Sequence, residues 1–444
     1  MTALLPLALF CELLALATQT RPLSVASGVL LSLFFIWHWR SLMPYPRRLA
    51  LVTLGLLGYW LLSGAASWEQ SQRLLAAAAY YGAFVGALGL MHCLAERLRP
   101  LGELHRRLLT GPPALLYPSY LLSTLTISSI LSFGMLTLVC GSLERHLQHG
   151  GYSETQRREG RRGVMVTALR GFALVPLLAP TSVAVAILTR ELPGLSWQAL
   201  LPFGLLAALL LLLIGWPLEN RRLRQLRRTE SGDTPAPPPQ PLRSLLLGSL
   251  LGIALIALLA AFTPPSATQA AMLLVPLAVV GLLRAQGEGF GAIHTQVRDT
   301  LAGMRNETFI FACSAVLGGL VAALVPVDAL VLHVGTSPLA LFGLGSAGML
   351  AVIALALLGV APIISLNLCA ALLAQLAAQG VTVMQPAVAL LAGFSLAMLL
   401  SPYGPSALML ARHAGLSPWR IAFGWNGRFV LLALGPLLLV PLLA

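Results

Sequence analysis

The chain has 444 residues, 57% hydrophobic and 10% charged, with a formal net charge of +13. Soluble domains carry roughly 25% charged residues, so the composition excludes a soluble protein, and the recurring apolar runs mark a polytopic membrane protein. Every basic residue is Arg and there is no Lys, which excludes Schiff-base lysine chemistry. The arginines cluster in loops between apolar runs, the positive-inside pattern, and no nucleic-acid partner is expected. The five cysteines, Cys11, Cys93, Cys140, Cys313 and Cys369, form no CxxC pair and give no disulfide or zinc signal.

The first stretch, "MTALLPLALFCELLALATQT", lacks a basic leader and reads as a short extra span near 3–18, within an N-terminal segment 1–22. Spans follow near 23–39, 49–64 and 74–94. The basic stretch 95–112 reads as an amphipathic arm helix on the cytoplasmic interface. The run 113–140 is long for one crossing and short for two, since a span needs about 20 residues. Read as a re-entrant hairpin, it keeps Arg97, Arg99, Arg106 and Arg107 inside, as the charge rule prefers. Next come 164–189 and 195–217. The Arg- and Pro-rich segment 218–243 anchors the orientation as a cytoplasmic linker. Beyond it lie 244–262, 267–284 and 305–325, an outer interfacial segment "PVDALVLHVG", a second hairpin at 345–378, a span at 385–411 and a last one at 424–443. The N-terminus falls inside and the C-terminus outside, in the inner membrane of a bacterium.

One segment is written twice. Gly171–Trp197 aligns without gaps on Gly393–Trp419, 222 positions on. The costlier identities are Gly171/Gly393, Phe172/Phe394, Pro180/Pro402, Arg190/Arg412 and Trp197/Trp419. By the charge-based topology the two copies run in opposite directions. The chain therefore reads as an inverted repeat, 23–217 and 244–444, an architecture common among secondary transporters. The middles, "APTSVA" and "SPYGPSA", contain Pro180, Pro402, Gly404 and Pro405, which interrupt helices at mid-membrane depth. Unwound backbone there is tolerated where it lines a cavity, so Thr181, Ser182, Tyr403 and Ser406 become binding candidates. The expected fold is thus all-α, with two re-entrant hairpins and two broken transmembrane helices. The hairpins add Thr124, Thr126, Ser128 and Ser129 in the first, and Ser365 and Asn367 in the second. A hydroxyl in a membrane helix often bonds only to its own i−4 carbonyl.

With its two halves, paired hairpins and paired broken helices, and with the stretch "GFALVPLLAPTSVAVAI", the chain resembles the ion transporter superfamily. It is most similar there to divalent-anion/sodium symporters, C4-dicarboxylate carriers and TRAP-type large permeases. The resemblance covers about 23–443. It implies an elevator-like movement of the hairpin-bearing unit, and substrate and sodium sites at the hairpin tips Ser128, Ser129, Ser365 and Asn367 and at the breaks Pro180–Ser182 and Ser401–Ser406. The symporters carry Ser-Asn-Thr at both tips; this chain has "TISS" and "SLN" there.

These readings converge on a transporter of a small organic anion, with sodium preferred over a proton as coupling ion and Ser128, Asn367 and neighbouring carbonyls as its ligands. No other cofactor or metal is expected. The alternative is an exporter or flippase of an amphipathic or lipid-linked molecule. An enzyme is not expected, because no His, Asp and Glu converge at mid-membrane. Membrane lipid is a partner in either case, and a homodimer, a periplasmic binding protein and a small membrane subunit stay open. The proton-binding candidates are Glu12, Glu307 and His92. Arg170, whose repeat mate is Ala392, either neutralises a carboxylate or extends to the cytoplasmic interface, and the latter is preferred.

Overall fold

A computed structural model describes residues 4–64, 66–95, 108–109, 111–131, 133–149, 151–226, 240–325 and 337–444. Every regular element among them is helical, and seven helices, the two interrupted ones included, are long and apolar enough to cross a membrane. The protein is an all-α multi-pass membrane protein. The first half contains α1 (Leu4–Thr18), α2 (Arg21–Trp37), α3 (Pro44–Leu62), α4 (Trp68–Gly89), α5 (Leu116–Leu131), α6 (Phe133–His149), α7 (Glu154–Ala173), α8 (Val183–Glu191) and α9 (Trp197–Arg224). The second contains α10 (Gln240–Phe262), α11 (Ala267–Ala285), α12 (Phe290–Gly303), α13 (Arg305–Leu324), α14 (Pro338–Leu357), α15 (Pro362–Ala378), α16 (Met384–Leu400), α17 (Pro405–Ala414) and α18 (Asn426–Leu439).

Local sequence sets where these helices start. Ser153 and Gln156 form a capping box at α7, and Ser266 and Gln269 form one at α11; each pair satisfies two backbone donors that a helix start leaves open. At the other end, α17 stops at Gly415, whose φ of 64° is the left-handed cap a glycine adopts without strain.

Several boundaries differ from the sequence reading. The broken helix begins at Glu154 rather than 164, because the capping box carries a polar first turn beyond the apolar run. The first hairpin runs on to His149, past its apolar part. The second begins at Pro338, so its first limb has 20 residues, long enough to cross a membrane by itself. The linker starts later than 218: α9 runs through Arg224, with Arg221, Arg222 and Arg224 in its last turn, where cations favour the helix dipole. The helix α12 was not foreseen. Most of the arm at 95–112, the segment "PVDALVLHVG" and 227–239 of the linker lie outside the described residues.

Two packing layers position the centre of the molecule. In one, α13 lies among α3, α4 and α15, while α1 and α2 pack on each other and on α4. In the other, each hairpin grips a broken helix: α5 packs on α7 and α14 on α16. Glycines allow both approaches. A Cβ on Gly171 would lie 2.0 Å from the Thr124 hydroxyl and 2.8 Å from the Leu121 carbonyl oxygen. A Cβ on its repeat mate Gly393 would lie 2.9 Å from the Cα of Met349. The paired identity of these glycines is therefore a packing requirement of both copies.

Arg170 does not reach the interface. It is 2% exposed, and its guanidinium sits 3.4 Å from Glu219, itself 2% exposed. Its other contacts are Asn426 Oδ1 at 3.3 Å, the Trp425 carbonyl at 3.4 Å and the Phe429 ring, 3.9 Å below its carbon. Glu219 also accepts from Arg222 at 2.8 Å, and Arg222 reaches Glu159 at 2.9 Å. The preference for snorkelling fails because α9 extends past Leu218 and brings a buried carboxylate alongside α7. This network ties together α7, α9 and α18.

Removing one member of a buried pair leaves an uncompensated charge, which costs about 3–5 kcal/mol. Glu219→Leu should therefore lower thermal stability in detergent sharply, while Arg222→Met, at the 27% exposed end of the network, should cost less than about 1 kcal/mol. Equal effects would contradict the buried pair. Gly393→Ala should destabilise by about 1–3 kcal/mol through overpacking. Gly252→Ala, where nothing lies within 4 Å, should be neutral or slightly stabilising.

Candidate functional site

The two helix interruptions match residue for residue. In the first copy α7 continues through a turn at Val175–Leu178 and stops at Ala179; α8 starts at Val183. In the second α16 stops at Ser401 and α17 starts at Pro405. Positions 179–182 and 401–404 are related by the same offset of 222 that separates Ser395 from Ala173. The backbone follows suit: Ala179 and Ser401 cap the first halves in extended conformation, and Ser182 and Gly404 precede the second halves in extended conformation. Equivalent backbone bonds close each break: Ser182 N donates to Ala179 O at 3.0 Å and Gly404 N to Ser401 O at 3.3 Å. The prolines occupy positions where a backbone donor is not needed: Pro180 and Pro402 lie within the breaks, and Pro405 is the first residue of α17.

One hydrogen bond joins the copies. Ser395 Oγ donates to the carbonyl of Ala173 at 2.5 Å, fully buried. Ser395 and Ala173 are repeat mates, and a residue touching its own mate lies near the axis relating the copies. The second limbs of the hairpins are exchanged about it: α6 packs on α17, and α15 packs on α8. Each second half-helix is thus covered by the second limb of the other copy's hairpin.

The first break is tied to its own hairpin by Thr181, whose hydroxyl donates to the Ser129 carbonyl at 2.5 Å. The Pro180 carbonyl accepts from Thr268 of α11 at 3.3 Å. Ser182 caps α8 by accepting from Ala184 N at 3.1 Å. The second break meets the turn of its hairpin through Tyr403, whose ring lies 3.3 Å from where a Cβ on Gly359 would sit. Gly359 has φ of +93°, so the turn needs a glycine on both counts. Tyr403 is 51% exposed and meets Trp419 edge-on, with ring centroids 5.8 Å apart. Ser406 is buried in the first turn of α17.

The hydroxyls divide into two groups. Thr124, Thr126 and Ser129 bond back to carbonyls three or four residues earlier in α5, the purely local use of such residues. Ser128, Ser365 and Ser401 are at most 1% exposed, and their hydroxyls have no hydrogen-bond partner among the described residues. Asn367 is buried and donates from Nδ2 to Ser314 of α13 at 2.9 Å, which anchors the second hairpin to the first layer. Among the described residues no three His, Cys, Asp or Glu side chains group as a metal centre, so a cation here would depend on carbonyls and hydroxyls.

Sequence reasoning passed over Ser314, Thr268 and Tyr45. Tyr45 OH accepts from Ala361 N at the second hairpin turn, at 2.9 Å. Ser314 is a lone hydroxyl in an apolar run, Thr268 sits inside a capping box, and Tyr45 lies between two prolines. None of them has a local pattern that points to a partner 53 or more residues away.

No family model matches the chain, and no curated protein does. Among solved structures, the chain is similar to the YdaH transporter of Alcanivorax borkumensis, whose crystal structure is described as having an unusual topology. The TM-score is 0.48 and the identity 17%, over 81% of this chain and 82% of that one. A likeness of that size fixes neither fold nor function by itself.

Proposed function

We propose that the protein is a secondary active transporter that carries a small organic anion, of carboxylate type, across the inner membrane of a bacterium, with sodium as the coupling ion. The observation that carries this reading is the pair of matched breaks, flanked by the buried, unpartnered hydroxyls of Ser128, Ser365 and Ser401. A buried polar group without a partner costs about 1–3 kcal/mol. A ligand that completes these hydroxyls would recover it. The starts of α8 and α17 present the positive ends of half-helices, which suit a carboxylate. The carbonyl ends of the preceding halves, with the same hydroxyls, suit a sodium ion. The hairpins and broken helices form one body that would move as an elevator against α1–α4 and α11–α13. The N-terminus lies inside and the C-terminus outside.

A second reading, export of an amphipathic or lipid-linked molecule, is favoured by one feature: Tyr403, Trp419 and Phe423 form a partly exposed aromatic face beside the second break.

Thermal unfolding of the detergent-purified protein, across a panel of carboxylates in sodium or potassium salts, separates the two. Ligand at about 100 times its Kd stabilises the folded state by about 2.7 kcal/mol. A shift by one carboxylate, only in sodium, is the expected result. Ser365→Ala and Ser401→Ala should keep the ligand-free melting point, because each removes a hydroxyl that bonds nothing, yet lose the shift. No shift with any carboxylate or with sodium would overturn the symporter and favour the exporter.

A further inference from the structure

The two copies end differently. In the first, Trp197 opens α9 directly. In the second, a π-helical segment, Arg420–Trp425, stands between α17 and α18. Its turns close five residues on, so residues four or five apart lie over one another. Ile421, Ala422 and Trp425 are buried, whereas Trp419, Arg420, Phe423, Gly424 and Arg428 are exposed. On that outer face Trp419 stacks on Phe423, with ring centroids 5.3 Å apart and planes 18° from parallel. Beside the rings, Arg420 lies against Gly424: a Cβ there would stand 3.3 Å from the Arg420 Cγ. Arg428 follows one turn on. With no side chain of its own, Gly424 leaves the space between the two arginines open. Arg162 of α7 reaches the same place from behind. It donates to the Gly424 carbonyl at 3.5 Å and stands 6.0 Å from the centre of the Trp425 ring.

The charge of this face is not balanced within the protein. Glu159 and Glu219 are held by Arg222 and Arg170. Neither Arg420 nor Arg428 has an ion-pair partner among the described residues. The repeat shows that packing does not require them. At the offset of 222 the first copy has Gln198, Leu201, Pro202 and Leu206 where the second has Arg420, Phe423, Gly424 and Arg428. Trp197 is turned inward and donates its indole N–H to the Leu178 carbonyl at 3.1 Å; its mate Trp419 is 50% exposed. By the charge rule the second copy ends on the cytoplasmic side, where the leaflet carries anionic lipid. Tryptophan favours the headgroup level, and arginine pairs with phosphate through two parallel N–H bonds.

We propose that this face holds an anionic phospholipid of the cytoplasmic leaflet. Arg420 and Arg428 take its phosphate across Gly424, and Arg162 adds its charge from α7. An acyl chain lies along Phe423, Trp419 and Tyr403, whose ring meets Trp419 edge-on at 5.8 Å and leads toward the second break. The lipid is resident rather than cargo, so the assignment stands apart from the transport reading; its leaflet rests on the charge-based topology. A scattered excess of arginine would attract lipid without choosing a place. Here cations, rings and an open gap share one face.

The test is thermal unfolding of the delipidated full-length protein in a neutral detergent. It is titrated with phosphatidylglycerol, with phosphatidylcholine of the same chains, or with glycerol phosphate as the soluble headgroup. Phosphatidylglycerol should raise the melting temperature saturably, and the other two should not at the same concentration. Arg420→Gln and Arg428→Gln should each keep the lipid-free melting temperature and weaken the apparent affinity about fivefold, equivalent to about 1 kcal/mol for each arginine facing an anionic lipid. Gly424→Leu, which fills the gap with a good helix former, should weaken it at least as much. Arg284→Gln, which alters an exposed arginine elsewhere, should leave it unchanged. An equal loss in Arg284→Gln, or equal stabilisation by phosphatidylcholine, would show general attraction to lipid and overturn the site. Equal protection by glycerol phosphate would contradict a lipid occupant. Should either arginine variant fail to fold, an unchanged affinity in Gly424→Leu would also sink the proposal.

Discussion

A chain that leaves helical geometry inside a bilayer must find a partner for every backbone group it frees, because hydrocarbon offers none. The centre of this protein is arranged around that constraint. Ser182 N and Gly404 N turn back onto carbonyls of their own breaks. The carbonyl of Pro180 takes a hydroxyl from Thr268, and that of Ser129 takes one from Thr181. The free amide of Ala361, at the second hairpin turn, is given to Tyr45. Thr268 and Tyr45 come from α11 and α3, outside the elements whose groups they satisfy. The breaks can exist only where hairpins and scaffold converge on them, and the exchanged packing of α6 on α17 and α15 on α8 brings them there. Three of the buried hydroxyls without a partner among the described residues, those of Ser128, Ser365 and Ser401, lie in the same elements, which is why the site is assigned there.

The two copies share a backbone plan but not a charge plan. Gly171 and Gly393, Pro180 and Pro402, and the turn bonds across each break do the same work twice. The charged residues do not. Arg170 faces Glu219 in the first copy and is replaced by Ala392 in the second. Arg190 lies on Tyr80, while Arg412 stands exposed. Ion pairs in a dry interior contribute little net stability, but they are strict about geometry. In this molecule an ion pair binds the first broken helix to α9 on one side, and Arg190, donating to the Ala76 carbonyl, ties it to α4 on the other. The second broken helix has neither tie among the described residues. A pseudo-symmetric body attached more firmly through one copy has unequal restraints on its two ends.

Much of this was legible in the sequence because a repeat doubles every signal. A proline in one apolar run is a kink; a proline at the same place in two copies marks a shared break, and the interruptions fall at 179–182 and 401–404 as "APTS" and "SPYG" indicate. The apolar periodicity also placed most of the spans. The failures have physical causes. Helix ends that leave the membrane become polar, so α7 and α9 run beyond their hydrophobic parts, and Glu219 reads as linker in the sequence. The fate of a hydroxyl is not local: Ser129 and Ser128 are neighbours, yet one bonds back along α5 and the other has no partner among the described residues. Thr268 lies 88 residues from its partner Pro180 and Ser314 53 from Asn367, and no local window of sequence connects them.

The central claim is that the two copies are inverted, so that their second halves point to opposite sides of the membrane. In a background lacking the five native cysteines, Pro193→Cys and His413→Cys place a thiol just beyond α8 and at the end of α17, both exposed. A membrane-impermeant maleimide should label the first only from outside and the second only from inside. Labelling of both from the same side would contradict the inverted repeat, and with it the shared site between the breaks.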